Sequence, residues 1–220
     1  MKVDKIHLLI HPGFLQNNHE ADLEYERSID ASEASKSYNA YLQELLLRYL
    51  DIVEEINDNE LLIVLLPESA RGMAHRMKKS SYENDPERMN YIGLLQYLRS
   101  FLGRRMIALT QYENQDDENG EGKSKIMSDG ELYGKLDRIL RKRGFEFDSH
   151  VLVEACGESL KACIEAEAAA FHEHYDLEYP VLIDTDKTDY DIAEHNPYAD
   201  ANDVTTLKDN MHTNKRYRYK

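Results

Sequence analysis

Two thiols carry the most pointed chemistry in the chain. Residues 151–164 read Val-Leu-Val-Glu-Ala-Cys-Gly-Glu-Ser-Leu-Lys-Ala-Cys-Ile, an apolar strand, a glycine turn and a helix start. With Ser159 as N-cap, Cys163 falls about one turn inside the helix. Helix N-termini favour anions and lower thiol pKa values, so a cysteine there can be partly thiolate near neutral pH. Its competing role is that of a small core residue, because cysteine is among the most buried residue types. Cys156 sits in the turn and is open to the same two roles. The histidines are less pointed. His7 and His11 share a strand face but stand about 13 Å apart along it, too far for one metal ion, and His7 is expected to be a satisfied core histidine. His172 and His174 point about 200° apart on a helix and do not chelate together. Asp184, Asp186, Asp189 and Asp191 alternate like the start of a calcium loop but lack its glycine and terminal glutamate, so a solvated acidic loop is expected. No metal site and no cofactor is expected. Gly-x-Gly-x-x-Gly, the phosphate loop and Gly-x-Ser-x-Gly are all absent from the sequence.

These residues are positioned by alternating strands and helices. Residues 6–10 form a short apolar strand that stops at His11-Pro12-Gly13. Asp30-Ala31-Ser32-Glu33 has capping-box spacing, and an apolar stripe from Tyr38 to Ile56 follows at helical period. Residues 61–66 are apolar without a break, the pattern of a strand covered on both faces, and Pro67 ends them. Asp85-Pro86 starts a helix striped by Tyr91, Leu94, Leu95, Leu98 and Leu102. Residues 106–110 are the third strand and residues 113–125 a polar loop. Ser128 to Glu131 is a second capping box, and Gly144 closes that helix. Residues 150–155, 160–174 and 179–183 complete the series as strand, alanine-rich helix and strand. The alternation predicts a three-layer α/β/α fold with a five- or six-stranded, mostly parallel, Rossmann-like sheet. Residues 1–190 are expected to form one domain. Residues 191–220 are expected to form an extension, acidic and then basic, whose tail is either mobile or clasps an acidic neighbour. In such a sheet ligands bind beyond the carboxyl ends of the strands, where strand order reverses. Those ends are 11–14, 67–69, 110–113, 154–159 and 184–186.

The fourth strand and its flanks resemble the nucleophile region of isochorismatase-like cysteine hydrolases. Gly157, Cys163 and Ile164 match the family's glycine, nucleophile and following β-branched residue. Lys125 and Ser128 resemble its lysine and serine, and Leu132, Leu136, Leu140 and Gly144 its next helix. The similarity covers about residues 123–184. It implies attack by Cys163, stabilisation of negative charge by Lys125, and an oxyanion held by backbone N–H groups around Ala162 and Cys163. The chain departs from the family at two places. Leu160 stands where a threonine is common, and His11 stands where the family has its catalytic aspartate. A histidine with an ordinary pKa near 6.5 can serve as base to a cysteine. Alternatively, the replacement marks a scaffold used for binding or assembly without catalysis.

Charge bounds the partners. The 220 residues hold 42 acids and 27 bases, a net charge of -15, so a long polyanion meets repulsion from most of the surface and no nucleic-acid partner is expected. Against this, residues 71–79 are basic and read either as an anion-binding lid or as a charged surface helix. No run of 18 apolar residues and no signal-peptide core is present, so no membrane partner is expected. Two cysteines do not make a disulfide framework, and a reducing cytoplasm is the expected location. A small-molecule substrate and a homo-oligomer complete the expected partners.

Overall fold

A computed structural model describes residues 1–12, 34–69, 91–116, 122–158, 163–188 and 215–220. The strands are β1 (Lys5–Ile10), β2 (Glu60–Ser69), β3 (Met106–Asp116), β4 (Gly122–Ile126), β5 (Leu152–Gly157), β6 (Val181–Thr188) and β7 (Tyr217–Tyr219). The helices are α1 (Ala34–Glu55), α2 (Tyr91–Leu102), α3 (Asp129–Arg143) and α4 (Glu165–His174). One sheet runs in the order β4-β3-β2-β1-β5-β6-β7, and only the β3–β4 pair is antiparallel. The chain builds outward from β1 to β3 on one side and then crosses to β5, so strand order reverses between β1 and β5.

The unbroken apolar runs divide between two cores. Ile6, Leu8 and Ile10 of β1 and Leu61, Ile63 and Leu65 of β2 pack with Leu132, Tyr133 and Leu136 of α3 and Phe171 of α4. Leu9, Leu62, Val64 and Leu66 pack on the other face with Leu46, Tyr49 and Ile52 of α1 and Leu94, Leu95 and Leu98 of α2. A strand covered on both faces has no polar side to alternate with, which is why residues 61–66 show no period of two. The expected three-layer α/β/α class holds.

Among the described residues the strand count is seven, against the five or six expected. The segment 113–125, expected to be a loop, is instead largely a hairpin: β3 continues to Asp116 and β4 returns from Gly122, with Glu113 opposite Lys125. Backbone pairing overrides polar side chains here, because an edge strand can keep both faces wet. The last residues supply β7, parallel to β6. The Tyr217 and Tyr219 hydroxyls both donate to the Glu165 carboxylate of α4, the first at 2.9 Å. β2 passes Pro67 with a shift in pairing, since proline offers no N–H to the ladder.

α3 has the ends its sequence specifies. The Ser128 N–H donates to Glu131 at 2.9 Å, and Gly144 takes the left-handed conformation at φ 71°. α4 begins at Glu165, with Cys163 and Ile164 in a wider turn before it. The helix starts expected near Asp30 and Asp85, the N-cap Ser159, and residues 71–79 and 191–214 lie outside the described residues.

Candidate functional site

The reversal point between β1 and β5 is a place of close backbone approach. Gly157 ends β5 at φ 142°, and a Cβ there would stand 1.9 Å from the Ile10 carbonyl oxygen. Only glycine lets the two strands meet so closely. The next residue, Glu158, donates its N–H to that carbonyl at 3.0 Å, and its side chain is buried. His11 leaves β1 in the left-handed region at φ 51°, its N–H bonded to the Leu65 carbonyl at 2.8 Å. A non-glycine residue in that region costs about 1–2 kcal/mol, so its side-chain contacts must hold it there.

Those contacts form a chain of polar groups. His11 Nε2 meets Gln111 Oε1 at the carboxyl half of β3. Gln111 Nε2 donates to Glu167 Oε1 at 2.5 Å, and the Tyr133 hydroxyl donates to Glu167 Oε2 at 2.9 Å. The direction is set by the acid. A carboxylate needs the amide N–H, which turns the amide oxygen toward His11 and makes Nε2 the donor. The neutral imidazole then carries its lone pair on Nδ1. Burial lowers the His11 pKa below 6.5 against an opposing bond from Gln111, so the ring is neutral at pH 7. Burial also raises the Glu167 pKa above its usual value, outweighing the bonds from Tyr133 and Gln111.

Cys163 lies just ahead of α4, half-buried and packed against the core on the α3–α4 face. It precedes Glu167 of α4 by four residues in the sequence. Helix α4 follows β5, the neighbour of β1. His11 thus follows β1, and Cys163 precedes the helix that comes after β5, the strand beside β1. Lys125 lies elsewhere. It is exposed on the edge strand β4, three strand spacings from β1, or roughly 14 Å. Cys156 is buried, and burial with the Asp184 carboxylate nearby pushes its thiol well above the ordinary range, so it is a packing residue.

Three members of the polar chain, Gln111, Glu167 and Tyr133, were not singled out by residue type. Gln111, like the buried Glu158 outside the chain, falls within a strand end where a ligand is expected, but neither has a spacing that marks it. Glu167 has one usable signal, its separation of four from Cys163. Tyr133 reads as one more apolar position of α3.

A second polar region lies on the α1 side of the sheet. There α1 meets β6: Arg48 donates to the Asp186 carbonyl at 2.9 Å, and Cys156 of β5 packs with Leu46, Tyr49 and Ile52. Between β5 and β6 the pairing jumps from Ala155–Ile183 to Gly157–Thr188, so Asp184 to Lys187 bulge outward. A groove of about 740 Å³ results, lined by Arg48, Asp51, Glu55, Asp184, Asp186, Lys187 and Lys220. Below it His7 Nε2 is 2.8 Å from Glu60, and Glu154 binds Lys5 at 2.8 Å and Lys220 at 2.9 Å. One donor atom each from His7, Glu55 and Glu154 lies within 4.8 Å of the other two, spacing that a metal ion could draw in. Lysines already occupy both carboxylates, since Lys187 reaches Glu55 at 2.6 Å. Asp184, expected in a solvated loop, is instead buried, with Lys220 at 3.3 Å and Lys187 at 3.5 Å.

Fold and site together define a three-layer, mostly parallel α/β protein with a buried histidine–amide–carboxylate chain at its strand-order reversal. Comparison with family models, curated proteins and solved structures returns no match for the chain. No described helix is long and apolar enough to cross a membrane.

Proposed function

We propose that the reversal point is the centre of a cysteine-dependent hydrolase acting on a small amide-type substrate, in the manner of the isochorismatase-like enzymes it resembles. The observation that carries this reading is the orientation of His11. Gln111 holds Nε2 as donor and leaves Nδ1 as the basic nitrogen, while Cys163 lies in the turn just before the helix that follows the neighbouring strand. Nucleophile, base and an amide that orients the base recur together in cysteine hydrolases. In the proposed cycle Nδ1 takes the Cys163 proton and the thiolate attacks the amide carbonyl. The imidazolium returns the proton to the leaving amine, and water then releases the acid from the thioester. Lys125, whose role by the resemblance is to stabilise negative charge, takes no part in these proton transfers.

The alkylation rate of each cysteine against pH, read by peptide mass spectrometry, tests the reading. The expected result is fast reaction at Cys163 with an apparent pKa below about 8.5, together with loss of small-amide turnover in Cys163→Ala. The second reading is a non-catalytic binding or assembly protein on the same scaffold. It is favoured by the packing of Cys163 against the core and by His11 at the aspartate position. Reaction of Cys163 only upon unfolding would decide for it.

A further inference from the structure

The amino edge of the sheet carries charge of the opposite sign to the chain. α2 and α3 lie on opposite faces, and both end beside the start of β3. Arg99 lies in the last turn of α2, Arg104 and Arg105 in the short 3-10 turn after it, and Arg141, Lys142 and Arg143 in the last turn of α3. Arg143 joins the two ends by donating to the carbonyls of Arg104 and Met106, both at 2.7 Å. Arg104 lies over the Phe145 ring at 5.1 Å. Among the described residues only Arg105 of these six has an acidic partner, Asp58 at 3.9 Å. The guanidinium groups instead repel one another: burial, and then Arg99 and Arg104, lower the pKa of Arg143. Basic residues in a last helical turn complement one helix dipole. Two such ends tied together, with the charges of Arg99 and Arg104 acting on Arg143, exceed that need. Phe101, in the last turn of α2, is 58% exposed, with the Tyr97 ring tilted against it at 4.6 Å between centroids.

We propose that this amino-edge surface binds single-stranded nucleic acid, its arginines holding backbone phosphates and Phe101 stacking on a base. Arginine outnumbers lysine five to one here, and the planar guanidinium fork matches phosphate oxygens in pairs. Cations that track the backbone, together with exposed rings on which bases stack, hold extended single strands without sequence preference. The proposal runs against the expectation from net charge. That expectation concerns the whole surface, whereas charges more than about 8 Å away are largely screened at physiological salt. The surface lies at the edge opposite the proposed hydrolase centre, so either can fail without the other.

The test is fluorescence anisotropy with labelled single-stranded 12-mers of dT and of U, at low and at physiological salt, on the full chain. Binding at low salt is expected. Neutralising three exposed side chains together (Arg99→Gln, Arg141→Gln, Lys142→Gln) should weaken it at least tenfold and reduce the salt slope by about two. Phe101→Ala should weaken it severalfold with the salt slope unchanged. Circular dichroism melting confirms that both variants fold. No binding at low salt, or equal binding by the neutralised variant, overturns the proposal. Competition by oligo-glutamate as strong as by the unlabelled oligonucleotide overturns it in favour of an acidic protein partner.

Discussion

His7 and His11 stand four residues apart around one strand, and both are buried. Burial lowers the pKa of each. Their partners differ in kind. His7 meets the Glu60 carboxylate directly and has the Glu154 carboxylate 3.8 Å from its other nitrogen. His11 meets an amide, and the acid, Glu167, stands one bond further away. A carboxylate beside an imidazole favours the protonated ring, whereas an amide carbonyl fixes the tautomer and supplies no full charge. His7 thus belongs to a network of ion pairs in which Lys5 and Lys220 neutralise Glu154. His11 belongs to a chain of directed hydrogen bonds that leaves one nitrogen basic. One residue type on one strand is structural at the first position and suited to proton transfer at the second.

The comparison can be broken at several points. The largest effect is expected at the strand junction beside His11. Gly157→Ala drives a Cβ into the Ile10 carbonyl and should cost roughly 3 kcal/mol or more, read as a lower denaturant midpoint; a change below about 1 kcal/mol would mean that the close approach is not required. Glu154→Ala comes next. It leaves Lys5 and Lys220 without their shared acid and should cost about 2 kcal/mol, while leaving Cys163 reactivity unchanged. Gln111→Leu should cost about 1–3 kcal/mol, because it strands the His11 N–H and leaves the Glu167 carboxylate with Tyr133 but without its amide donor. Unlike Glu154→Ala, it should also alter the Cys163 alkylation profile; an unaltered profile would separate Gln111 from the thiol chemistry.

The pH dependence sharpens the contrast further. Each histidine has its folded pKa below 6.5. Below pH 6.5 the unfolded chain takes up protons first, so stability falls as pH drops toward the folded values and is regained above 6.5. Glu154 adds loss at lower pH. Burial opposes its charge, but the bonds from Lys5 and Lys220 prevail and hold its pKa below 4.5, so its contribution is present above 4.5 and fades as pH falls through the folded value. Glu167 has the opposite sign: its raised pKa favours the fold below 4.5, and that contribution is lost as pH rises through the folded value. His11→Gln should therefore flatten the stability profile just below pH 6.5, as read by chemical denaturation, and leave the Glu154 limb below 4.5 in place. The smallest effect is expected at Lys220→Ala. Its partly exposed pair with Glu154 should contribute about 0.5–1 kcal/mol, and that difference should shrink in high salt.

The amino-acid sequence by itself determined the layered class, because continuous apolar runs, helical stripes and capping signals are local properties. Ser128, Glu131 and Gly144 set the ends of α3 through bonds within a few residues. It also marked Gly157, Cys163 and the end of β1 as places where chemistry could gather. Only the tertiary structure decided what gathers there. Gln111 lies 100 residues from His11, and Glu167 lies 56 from Gln111; no spacing in the sequence ties them, since parallel crossovers bring distant strand ends together. The hairpin of β3 and β4 and the short β7 were hidden for a related reason. Edge strands are defined by backbone pairing to a neighbour, which polar side chains neither announce nor prevent. The groove and the buried Asp184 follow from the break in pairing between β5 and β6 and from its meeting with α1. Lys187 reaches Glu55 and Arg48 reaches the Asp186 carbonyl across 132 and 138 residues of sequence, so no local pattern announces either contact.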